Sequence, residues 1–109
     1  MKTLIALVLT LAAGSTPALA GEVFGTIKEQ GKPVKEGLKV TVTCGEKSVA
    51  GATDKNGAYR LFAAEEGKCT LTVQVGEETP ATTVRSYEDS ARYNLVLEKK
   101  DGKYVLRGE

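Results

Sequence analysis

The chain has 109 residues, 15 Lys and Arg against 14 Asp and Glu, and no histidine. A formal net charge of +1, with both signs interspersed, excludes an electrostatic nucleic-acid surface and gives no reason for an anionic membrane partner. Without histidine, Ser-His and Cys-His nucleophilic sites and histidine zinc sites are excluded, and two cysteines cannot make a structural zinc site.

Residues 1–20 are expected to be a signal peptide. Met1-Lys2 is positive, Leu4 to Ala13 is apolar apart from Thr10, and Ala18-Leu19-Ala20 is a small-x-small cleavage site. The apolar run is too short for a stable membrane anchor. No cysteine stands at the cleavage point for lipid attachment. The expected product is an exported, periplasmic or secreted domain over residues 21–109 with balanced charge. Two cysteines, Cys44 and Cys69, then favour a disulfide. It would stabilise a small core by about 3 kcal/mol in the chain-entropy account.

No stretch after Ala20 has a helical apolar period. Turn residues recur every eight to ten residues or so, the spacing of a sandwich or barrel. Glu22 to Lys28 is a first strand, turned by Glu29 to Pro33. Leu38 to Cys44 alternates strictly, with Leu38, Val40, Val42 and Cys44 on one face. Ser48 to Thr53 is a weaker strand. Asp54-Lys55-Asn56-Gly57 is a tight turn: Asp54 and Asn56 suit turn conformations and Gly57 supplies a positive φ. Ala58 to Ala63 follows, with Tyr59 and Leu61 on one face. Cys69 to Val75 puts Cys69, Leu71, Val73 and Val75 inward, so both cysteines share the core parity. Ala81 to Tyr87 has Val84 as its one clear apolar anchor. Arg92 to Glu98 places Tyr93, Leu95 and Leu97 together. Lys99 to Gly102 is a hairpin connection, and Lys103 to Arg107 is a last short strand. Lys and Arg in the end strands discourage edge-to-edge pairing.

Seven to eight such strands predict an all-β, two-sheet antiparallel Greek-key sandwich. Val23-Phe24-Gly25-Thr26-Ile27, Gly31-Lys32-Pro33-Val34, Gly37-Leu38-Lys39-Val40, Thr53 to Leu61 and Gly67 to Val73 stand in a fixed order and spacing. In these residues the chain resembles a carboxypeptidase regulatory-like domain of transthyretin-like fold. The resemblance runs from Val23 to about Val75 and is loose beyond Ala81. Cys69 stands where that family usually has an aromatic residue. The resemblance implies an immunoglobulin-like sandwich with a binding or spacer role, and fold alone does not fix function.

The remaining candidate sites are few. Asp54, Asn56 and Glu65 are unlike a calcium loop, because its obligatory glycine position holds Tyr59 and its fifth position Ala58. A Lys28–Asn94 isopeptide bond needs a buried pair, whereas both fall on outward parities. Tyr59 and Tyr93 share faces with leucines, as packing residues do. Tyr87 is the aromatic residue expected to be exposed. With Arg85, Arg92, Glu88 and Asp89 it could line a ligand site at a sheet end. The expectation is a non-catalytic interaction or structural module without cofactor, its partner a protein or glycan of the cell envelope. The alternative is a carbohydrate-binding module.

Overall fold

A computed structural model of the chain describes residues 21–109; the signal-peptide assignment lies outside the described residues. Ten strands and no helix occur among these residues. They are β1 (Glu22–Glu29), β2 (Lys32–Pro33), β3 (Lys39–Cys44), β4 (Lys47–Ala52), β5 (Ala58–Phe62), β6 (Gly67–Val73), β7 (Ala81–Ser86), β8 (Ala91–Arg92), β9 (Leu95–Lys100) and β10 (Lys103–Gly108). Seven of the predicted strands recur with ends shifted by at most two residues, the Arg92–Glu98 strand is split into β8 and β9, and β2 is the short addition.

Two sheets share these strands. A four-stranded sheet has the order β4-β3-β6-β7 and is antiparallel throughout. A six-stranded sheet is built on β1, which pairs with β5 and β8 along its first half and with β2 and β9 along its second. Here the expectation of purely antiparallel pairing fails, because β8 and β9 run parallel to β1. Parallel neighbours need a long crossover. The whole excursion through the four-stranded sheet supplies it.

Alternation builds the core. Val23 and Ile27 point inward from β1, Tyr59 and Leu61 from β5, and Leu95 and Leu97 from β9. They meet Val40, Val42, Leu71 and Val73 of the other sheet, all nearly inaccessible. Full burial of each such aliphatic side chain contributes about 1.5–3 kcal/mol. In β7 the inward set is Val84 together with Ser86, whose buried hydroxyl finds no hydrogen-bond partner among the described residues.

Cys44 and Cys69 form a disulfide. The β3–β6 register pairs Thr43 with Thr70, so the two cysteines are the next directly opposed pair. Their Cα separation of 4.4 Å matches a non-hydrogen-bonded antiparallel pair. The bridge therefore ties neighbouring strands of one sheet rather than the two sheets. It closes the segment that leaves by β4, visits the other sheet as β5 and returns as β6.

Arg92 to Glu98, expected as one strand, is broken at Tyr93-Asn94. Tyr93 N–H donates to Phe24 O at 2.7 Å. A regular parallel ladder would next have Tyr93 O accept from Thr26 N–H. Instead Tyr93 O accepts the Tyr59 hydroxyl at 2.7 Å, and Asn94 Oδ1 accepts Thr26 N–H at 3.2 Å. A side-chain amide thus replaces a backbone acceptor. The rearrangement depends on Gly25, where a Cβ would overlap the Tyr93 carbonyl.

Candidate functional site

The Asp54–Gly57 turn is locked by its own chain. Asp54 Oδ1 accepts from Asn56 N–H at 2.8 Å and from Ala58 N–H at 3.0 Å, and Gly57 N–H donates to Asp54 O at 3.0 Å. Gly57 has φ +74°, and its carbonyl accepts Ile27 N–H at 2.8 Å. A Cβ there would lie 2.8 Å from Ile27 O, so the turn docks closely on β1.

Beside this turn, on the outer face of the six-stranded sheet, is an open groove of about 620 Å³. Strand parity builds it. Phe24 and Thr26 point outward from β1, Ala58 and Arg60 from β5, and Arg92 from β8. Phe24 pairs across the ladder with Arg60 on one side and Arg92 on the other. The result is a row of guanidinium, ring, guanidinium. Thr26 pairs with Ala58, whose methyl leaves the next row low. Gly25, Ala52, Asp54, Tyr59 and Asn94 complete the lining.

The two cations differ. Arg60 Nε sits 2.6 Å from Glu22 Oε2. Arg92 lies over the Phe24 ring, 5.3 Å from its centroid, and has no carboxylate partner among the described residues. Asn94 Oδ1 accepts from both Thr26 N–H and, at 3.3 Å, Thr26 Oγ1. Its amide nitrogen is therefore the atom left to donate. The same engagement commits Asn94 to Thr26 rather than to Lys28.

Of the residues expected to line one site, Arg92 lines the groove, and Arg85 and Tyr87 do not. Arg85 is an exposed residue of β7. Tyr87 is 50 % exposed, and its carbonyl accepts Gly21 N–H. Gly21 O in turn accepts the N–H of Ala63, the residue after the 51 % exposed Phe62. Sequence reasoning missed Phe24, Thr26 and Arg60 as site residues. Their outward parity was visible; their lateral adjacency to Arg92 was not.

Tyr93 does more than pack. It is only partly buried, and its hydroxyl accepts Arg85 N–H at 2.8 Å and donates to Arg85 O at 3.1 Å. This satisfies both backbone groups of Arg85 and blunts the β7 edge. Glu78 acts likewise on β10, accepting Tyr104 N–H at 2.8 Å. Hydrogen bonding to Arg107 lowers the Glu98 carboxyl from its usual range, although that pair lies in solvent.

Burial, with a smaller contribution from Tyr93, pushes the Tyr59 phenol well above its ordinary value of 10.0. The folded state therefore disfavours the phenolate. Stability from this group is complete below about pH 10 and falls as pH rises beyond it, because the unfolded chain loses the proton first. Urea midpoints should drop between about pH 9 and pH 11, and drop less in Tyr59→Phe. Equal losses in both proteins would contradict this.

No family model matches the chain, and no curated protein matches it. Among solved structures it is similar to part of a 9R-lipoxygenase from Cyanothece PCC8801, with 14% sequence identity and a TM-score of 0.42. That match covers 90% of this chain and 18% of the lipoxygenase, so the chain spans less than a fifth of that protein's length.

Proposed function

We propose that the chain is a non-catalytic binding module of the carboxypeptidase regulatory-like kind, a Greek-key sandwich acting in the periplasm or outside the cell. The two-sheet architecture and the motif order from Val23 to Val75 support the family reading. The disulfide is consistent with an oxidising compartment. The observation that carries the binding role is the Arg60–Phe24–Arg92 row, in which Arg92 holds a charge that no residue of the described chain neutralises. Cations and amides on rigid strands bind and orient, and the chain has no histidine to add proton transfer near neutral pH. The partner is a component of the cell envelope. Immobilised protein should retain that component from envelope extract, and Arg92→Ala should lose most of it. Retention indifferent to Arg92 would overturn the assignment.

A second reading, sugar stacking, is favoured by a separate observation: the exposed side chains of Phe62 and Tyr87, on two segments whose backbones both bond to Gly21. Glycan binding lost in Phe62→Ala and Tyr87→Ala but kept in Arg92→Ala would select it.

A further inference from the structure

Arg60 and Arg92 stand on the strands either side of Phe24. Neighbouring strands lie about 4.8 Å apart, so their Cα atoms are about 10 Å apart. Arg60 is already committed to Glu22, and Arg92 is the unengaged cation. The Arg92 guanidinium carbon lies over the Phe24 ring, 5.3 Å from its centroid. The guanidinium N–H edges remain for a planar acceptor, and the ring limits the orientations the group can take. A carboxylate fits that fork.

The rest of the groove selects among carboxylates. Asn94 offers amide N–H donors, fixed by the two bonds its oxygen accepts from Thr26. Asp54 spends Oδ1 on Asn56 and Ala58, which leaves Oδ2 as an acceptor in the same groove. The lining thus combines a cationic fork, an amide donor and an anionic acceptor. A bare anion can accept from the first two but has no proton to give the third. A neutral sugar can hydrogen-bond to all three but leaves the Arg92 charge unneutralised. A peptide would want apolar subsites, and the groove offers two alanine methyls and a ring already covered by Arg92. A hydroxylated acid uses all three, and the groove's size is that of a small-ligand site.

We infer that the groove binds a carboxylated saccharide, with a uronic-acid carboxylate on Arg92 and ring hydroxyls shared between Asn94 and Asp54. This rests on the groove being the binding surface proposed above. Digalacturonic acid, galactobiose and acetate are to be titrated into the ¹⁵N-labelled protein. Digalacturonic acid should shift the Asn94 side-chain amide and the Thr26, Ala58 and Arg92 signals, with galactobiose and acetate each at least about tenfold weaker. Arg92→Ala should weaken binding about tenfold or more, and Arg92→Lys, which keeps the charge and loses the fork, several-fold.

Equal affinity for galactobiose, equal affinity for acetate, shifts confined to Phe62 and Tyr87, or no shift at about 10 mM would each overturn the inference. If envelope retention still depends on Arg92 in any of those cases, the acidic-sugar assignment falls and the binding surface stands. If retention is indifferent to Arg92, both fall.

Discussion

Gly25→Ala is expected to destabilise the protein by about 3 kcal/mol or more, one of the two largest effects of any small substitution considered. Gly25 lies between Val23 and Ile27 on the inward side of β1, opposite Tyr59. The Tyr93 carbonyl occupies the space a Cβ would need. Moving that carbonyl is overpacking against backbone, which costs about 1–3 kcal/mol. It also breaks the partly buried bond from the Tyr59 hydroxyl, and a donor left unsatisfied there costs about 1–3 kcal/mol more. For a domain of this size the loss corresponds to a fall in Tm of about 12–24 °C. Urea unfolding measures it directly. Because both residues act through one carbonyl, Gly25→Ala with Tyr59→Phe should cost less than the two single changes added together. A loss below about 1 kcal/mol for Gly25→Ala would contradict the close approach.

Removing the disulfide is the second large effect. The double change Cys44→Ala, Cys69→Ala should cost about 3 kcal/mol, from the unfolded-state entropy that a bridge across 25 residues removes. Against a total of about 5–15 kcal/mol this is a large share of the stability. The double variant should nonetheless keep the β3–β6 ladder, because the two strands also share four backbone-paired positions and inward Val40, Val42, Leu71 and Val73. Amide spectra should therefore change near Cys44 and Cys69 while the denaturation midpoint falls. A double variant as stable as the parent would show that the unfolded chain already holds this loop closed.

The strands were legible because alternation is local. Val40, Val42 and Cys44, or Leu71 and Val73, declare their inward parity without reference to any partner. The same parity made the Cys44–Cys69 pairing plausible, and register then made the two residues direct neighbours. The Asp54–Gly57 turn was legible for a related reason, since its chemistry is contained in its own residues. Three things were not. The break at Tyr93-Asn94 arises because Gly25, far away in sequence, lets a carbonyl turn inward. The parallel placement of β8 and β9 on β1 is a property of the crossover and not of either strand. The groove depends on β1 lying between β5 and β8, so Phe24 and Arg60 carry no local mark of belonging with Arg92. Tyr87 was visible as an exposed ring, but its expected neighbours Arg85 and Arg92 belong to different surfaces: one to the β7 edge strand, the other to the groove.

Amide-resolved mapping of the contact between the labelled protein and the envelope component it retains tests the central claim most directly. The account predicts that the perturbed signals cluster at Phe24, Thr26, Ala58, Arg60, Arg92 and Asn94, with Lys47 to Ala50 of β4 unchanged. Perturbation confined to β4, or to Phe62 and Tyr87, with the groove silent would contradict it.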